Sequence, residues 1–177
     1  MEHKALFPFR GVSPRLKERV LVDESAKLIG DVEVGDDSSI WPFVLVRGDV
    51  NYIRIGARTN IQDGTLIHVS NDTRLMPGGS PTIIGDEVTI GHGAMLHGCI
   101  IEDVTLIGMR ATLLDRSRVE KYGMLGAGSL LPPNKVVKSG ELWMGSPAKF
   151  IRRLTDKEIE NLYFSAQHYV ELKAFYL

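Results

Sequence analysis

The sequence is short of cysteine, of long apolar runs and of any surplus of charge, and each shortage excludes something. The single cysteine, Cys99, cannot close a disulfide within the chain and fits a reducing compartment. No stretch approaches the ~20 consecutive apolar residues of a membrane helix. The start, MEHKALFPFRG, has no apolar run of the kind a secretory signal needs. The expectation is a cytoplasmic protein that does not contact a membrane. Lys and Arg number 21 against 22 Asp and Glu, for a net charge of −1, so no basic excess is available for nucleic acid or an anionic surface. At 177 residues the chain is sized for a single domain, 1–177.

Glycine, by contrast, is plentiful: 18 residues, with 8 prolines, in a chain that has no low-complexity linker. The glycines follow aliphatic residues at regular places, as in Ile55–Gly56, Ile84–Gly85, Ile90–Gly91 and Ile107–Gly108. The aliphatic residues recur in steps of six. One run is Val34, Ile40, Val46; a second is Ile55, Ile61, Ile67; a third is Ile84, Ile90, Leu96. The last and longest is Ile101, Ile107, Leu113, Val119, Leu125, Leu131, Val137. Two positions before these anchors stand small or β-branched residues, among them Thr65, Thr82, Ala94, Cys99, Ala111 and Ser129. Two inward positions separated by one outward residue describe a short strand. A sustained hexapeptide period describes an all-β fold, a parallel β-helix with one hexapeptide per face and three faces per coil. Antiparallel hairpins would not keep a period of six for so long. The pattern predicts about seven coils over 10–150.

Three places break the period. Residues 47–54 carry three extra, residues 68–83 carry a turn-rich loop, and one residue is missing between Leu96 and Ile101. After residue 150 the period changes. Thr155 and Glu158 have capping-box spacing. Ile159, Leu162, Tyr163, Ala166, Tyr169, Val170 and Lys173 then follow helical spacing. This predicts a C-terminal α-helix over 155–176 on the outside of the β-helix, covering an apolar face.

Five histidines are present. His3 and His168 lie outside the repeat and read as incidental. His68 follows anchor Ile67 and His97 follows anchor Leu96, the same outward slot. Counting Ile67, Ile84, Ile90 and Leu96 as three steps puts them on one face, one coil apart. At about 4.8 Å between parallel strands, their imidazoles can share a metal whose bonds are about 2.0–2.1 Å. His92 lies two after Ile90, at a corner one face earlier. A rigid prism does not bend it onto the same ion, but a neighbouring prism in a closed trimer can present it. Three neutral imidazoles with an open position describe a catalytic zinc site. Arg47 falls in the slot of His68 and His97, while Gln62 and Asp63 fall on the face of His92. With Asp49, they are expected to line the cleft, and Arg47 with Asp63 offers a salt bridge that sets subunit register.

These hexapeptides, with Arg47-Gly48-Asp49, the run from Gln62-Asp63 to His68, the run from Ile90-Gly91-His92 to His97-Gly98-Cys99, and Gly145-Ser146-Pro147-Ala148-Lys149, resemble the γ-class carbonic anhydrase family over nearly the whole chain. The crossover rule alone favours a right-handed connection; the resemblance implies a left-handed β-helix instead. It further implies a homotrimer with zinc, or sometimes iron or cobalt, between subunits, held by His68, His92 and His97. The implied reaction is reversible hydration of CO2 to bicarbonate. Gln62 would position water or bicarbonate, and Arg47 and Asp63 would form the interface pair. Tyr169, within Ser165-Ala166-Gln167-His168-Tyr169-Val170, would reach toward the metal.

One departure stands out. The founding members carry a glutamate-bearing acidic loop that exports protons, whereas the loop here, 70–81, holds Asp72 and no glutamate. Slow hydration is therefore expected. Alternative functions stay open. A hexapeptide acyltransferase shares the fold but uses one histidine as a base, so it does not require the pairing of His68 with His97. A metal-dependent thioesterase would use the same activated water. A metal-binding trimer without fast catalysis would need only the ligands.

Overall fold

The computed structural model of the chain describes residues 4–177, which leaves His3 outside the described residues. The hexapeptide period becomes a three-faced parallel β-helix with seven rungs on each face. The first face pairs Leu6, Leu28, Val46, Ile67, Leu96, Leu113 and Leu131. The second runs from Leu16 through Val34, Ile55, Ile84, Ile101 and Val119 to Val137. The third runs from Val22 through Ile40, Ile61, Ile90, Ile107 and Leu125 to Trp143.

Every anchor from Val34 to Val137 is at most 3% exposed, and the residues two before them are as buried as far as Ser129, though not at Lys135: Thr65, Thr82, Cys99 and Ala111 are all at 0%. The core is therefore a stack of aliphatic side chains, with small residues where the corners narrow. Burial among them pushes the Cys99 thiol up to about 12, so it stays protonated and is a filler rather than a nucleophile.

The three interruptions sit at corners, where extra backbone can leave without disturbing the anchors. The three extra residues lie inside the long strand Leu45–Ile55, whose pairing with Lys27–Val34 slips between Gly30 and Val32. The 70–81 loop is a narrow excursion closed by mutual backbone hydrogen bonds of Ser70 and Ser80. The missing residue is absorbed at Gly98, whose φ of 57° turns the chain early. Glycine tolerates that conformation without steric cost.

Two ends differ from the expected 10–150. Parallel pairing begins earlier, at Leu6–Phe7. It stops at Trp143; the chain doubles back after Gly145, and Ala148–Arg153 pairs antiparallel with Glu141–Gly145. This return covers the last rung, which no further coil would protect.

The helix spans Asp156–Lys173, and Thr155 and Glu158 form the expected capping box. It ends before 176 because 174–176 form a turn. At its far end the Lys173 ammonium is 3% exposed; it donates to the Arg19 carbonyl at 2.5 Å and to Asp37 at 3.2 Å. Hydrogen bonds from Arg19 first, and from Lys173, hold the Asp37 carboxyl well below its usual value, at about 2. The helix lies over the third face. Its covering role is only partly apolar: Leu162 packs on Val104, Leu142 and Leu154, but Ser39, Asn60 and Thr89 are also buried there. Among the described residues no helix is long and apolar enough to cross a membrane.

Candidate metal centre

The register places the functional residues in two groups at the two edges of the first face. At the strand-end edge, Val46 pairs with Ile67, and His68 pairs directly with His97. Arg47, His68 and His97 thus form a column, as the slot count predicts. At the opposite edge, the corner before the face carries Gln62, Asp63 and His92. One strand, Met95–His97, separates His92 from His97.

In the column the two imidazoles are 5.2 Å apart between ring centres, and His68 Nδ1 lies 3.2 Å from His97 Nε2. The outer nitrogen of each ring meets a carboxylate. His68 Nε2 is 3.0 Å from Asp49 Oδ1, and His97 Nδ1 is 3.1 Å from Asp115 Oδ1. A carboxylate fixes the ring proton on the nitrogen it faces. With the ring protons on those outer nitrogens, the two inner nitrogens present lone pairs to each other at 3.2 Å, a pairing that a shared cation relieves. The donor set therefore fits a zinc-type ion, which imidazole suits.

Asp49 is braced in turn. Its Oδ2 accepts from the Arg47 guanidinium at 2.5 Å. Burial pushes its carboxyl up, but the hydrogen bonds from His68 and Arg47 outweigh that and hold it below its ordinary value.

At the other edge, His92 Nδ1 is 2.9 Å from Asp63 Oδ2. Arg47 and Asp63 each have a partner within the chain, Asp49 and His92 respectively. Gln62 is 4% exposed, and its Nε2 donates to Asn60 Oδ1 at 3.0 Å. The helix brings Tyr169 to the same cleft, a space of about 410 Å³ that Gln62, His92 and Tyr169 line together with Leu106, Met109 and Met124. Trp41 packs edge-on against Tyr169 at 5.5 Å. Burial, and then the charge of Asp63, raise the Tyr169 hydroxyl above its usual value, so it is a donor at neutral pH.

Among the described residues, no three His, Cys, Asp or Glu side chains converge on a point that could hold an ion. His92 is at one edge and the His68–His97 pair at the other. His168 lies on the helix, its ring stacked on Phe164.

Sequence reasoning did not single out Asp115 or Ser70. Asp115 is two residues past anchor Leu113, one coil from His97, and Ser70 Oγ donates to it at 2.8 Å. The slot count used the second residue past an anchor at Asp63 and His92 but was not carried to Leu113. Carrying it there would have found Asp115; nothing in the loop's sequence marks Ser70.

No family model matches the chain. Protein YrdA of Escherichia coli is 51% identical over 97% of this chain and 94% of its own length. Gamma carbonic anhydrase 2, mitochondrial, of Arabidopsis thaliana is 49% identical over 96% of this chain, which spans 61% of that relative. A probable carbonic anhydrase of Methanocaldococcus jannaschii is 41% identical over 89% of this chain and 94% of its own. Among solved structures, a hexapeptide transferase family protein from Anaplasma phagocytophilum superposes with a TM-score of 0.91 at 43% identity, covering 98% of this chain and 99% of that one. The repeat, the rung-by-rung fold and these identities over nearly the full length agree: the chain belongs to the γ-class carbonic anhydrase-like family of hexapeptide-repeat proteins.

Proposed function

We propose that this protein is a metal-dependent carbonic anhydrase of the γ type, working as a homotrimer that hydrates CO2 reversibly to bicarbonate. The observation that carries the reading is the facing pair His68 Nδ1 and His97 Nε2, each ring with a carboxylate at its outer nitrogen. In this reading His68 and His97 of one subunit and the His92 of a neighbour hold zinc, with Fe2+ or Co2+ as substitutes. A bound zinc ion supplies a water acidic enough to act as a nucleophile near neutral pH.

The first face supports the trimer. Its outward residues Leu45, Leu66 and Met95 form an apolar ladder between the two half-sites, which passes through Thr112 to Leu130; the four apolar residues are half-buried or exposed in the single chain. Packing that ladder against a neighbour buries apolar surface and brings the edge with His92 toward the edge with His68 and His97. Arg47 and Asp63 then serve as the register pair across the boundary.

The remaining roles fall to this chain's own groups. Gln62, tethered through its Nε2, offers its carbonyl oxygen to a hydroxyl of water or bicarbonate. Tyr169, kept protonated, donates to the bicarbonate oxygens from the helix side. Leu106, Met109 and Met124 give CO2 an apolar approach. The buried lone thiol of Cys99 fits a cytoplasmic setting.

The same cleft favours a second reading. About 410 Å³ is more room than CO2 needs, and an acyl thioester hydrolysed by the same activated water would use its apolar wall. Zinc content and CO2 hydration measured on one preparation decide between them. The expected result is about one ion per chain, as three equivalent clefts in a closed trimer require, with measurable hydration. A folded, metal-free protein after zinc supplementation contradicts the metal reading; full zinc with no hydration but thioester cleavage selects the second.

A further inference from the structure

The contact of Asp115 with His97 has a second partner, Ser70, and the geometry of the three is specific. Both the His97 Nδ1 and the Ser70 hydroxyl converge on the same carboxylate oxygen, Asp115 Oδ1, at 3.1 and 2.8 Å. Gly98 makes room for it: a Cβ there would strike Asp115 Oδ1 and the Ser80 side chain. Ser70 opens the 70–81 loop and is tied to Ser80 by backbone hydrogen bonds, so the loop's neck and the ligand column share one hydrogen-bonded chain. The side chain of Asp115 is 27% exposed, enough to remain hydrated without this contact. Its orientation toward His97 is therefore set by its partners and not by lack of space.

We infer that Asp115 is a positioning residue for His97: it keeps the imidazole proton on Nδ1 and the Nε2 lone pair facing His68, and Ser70 fixes the carboxylate that does so. The loop thereby gains a link to the proposed metal that needs no acidic side chain of its own. The consequence for metal affinity rests on the metal reading above; the tautomer does not.

Two measurements on the full-length protein test this. The first is long-range 1H–15N NMR of the metal-free chain with 15N-labelled histidine at pH 8, which reports which nitrogen of His97 carries the proton. The wild type is expected to show Nδ1–H, and Asp115→Asn a mixture. The second is Zn2+ affinity by chelator competition. Asp115→Asn is expected to lose about 10- to 100-fold, with an unchanged melting temperature of the metal-free chain, and Ser70→Ala to lose less in the same direction. A wild-type His97 with its proton on Nε2 overturns the inference whether or not zinc binds. So does wild-type zinc affinity in Asp115→Asn, or in Ser70→Ala should the first variant fail to fold. A wild-type chain that takes no zinc yet shows the Asp115-dependent tautomer upholds the positioning role and defeats the metal reading instead.

Discussion

Replacing His97 with alanine is expected to abolish zinc binding and lower CO2 hydration by more than about 100-fold, beyond the range usual for outer-shell losses, while the β-helix stays folded. The reason lies in the strand alternation. His97 projects outward, and its ring is bonded only to His68 and Asp115, whereas its neighbour Leu96 projects inward and is fully buried. Adjacent residues therefore have opposite expected effects. Leu96→Ala leaves the ligands in place but removes core volume, costing about 2–5 kcal/mol of stability. Metal analysis and thermal melting of the two variants side by side read both outcomes. Full metal occupancy in His97→Ala contradicts the ligand assignment, and collapse of its fold contradicts the division between anchors and ligands.

Hydration by the natural protein is expected to be limited by proton export and to rise several-fold with added imidazole-type buffer. Each turnover releases one proton, and a fast enzyme needs a group near the site that titrates close to the working pH and contacts solvent. The 70–81 loop has a single acidic side chain, and the loop itself uses it: Asp72 Oδ1 accepts from the Gly78 amide at 3.0 Å. The tip residue, Leu75, is 96% exposed and carries no titratable group. Met76 is half-buried, so Met76→Glu would place a carboxyl where partial burial raises its pKa toward neutrality. Turnover of that variant in dilute buffer is expected to exceed the wild type's. A high wild-type rate that does not depend on buffer would show another export path.

The anchors were legible because a core of stacked coils admits one kind of side chain at one spacing, so Val34 through Val137 appear in the sequence as they lie in the fold. The pairing of His68 with His97 followed from the same count, since parallel register carries a slot from coil to coil. The carboxylates on the outer nitrogens were less legible. Asp63 drew notice because it falls on the face of His92, and Asp49 because it lies beside Arg47, but the count was not carried to Asp115, two residues past Leu113 at another corner. The terminal return of 148–153 was invisible to the repeat, because closing the last rung needs an antiparallel partner that obeys no period of six. The helix was read from its cap and its 3.6 spacing. The polar surface beneath it was not expected, because Ser39, Asn60 and Thr89 look solvent-facing until Asp156–Lys173 lies over them.

The central claim is that one site is assembled from two subunits, with His92 supplied across the boundary. Mixing two defective variants tests it. His92→Ala keeps an intact His68–His97 pair, and His97→Ala keeps an intact His92, so neither trimer alone holds a complete ligand set. Unfolded together at equal amounts and refolded, random closed trimers would regain complete sites at about a quarter of their interfaces, since each interface needs one particular order of neighbours. The account predicts zinc content and CO2 hydration near that fraction of wild type in the mixture and almost none in either variant alone. A mixture that has been shown to contain mixed trimers, yet binds no more zinc than its parents, would contradict a site shared between subunits.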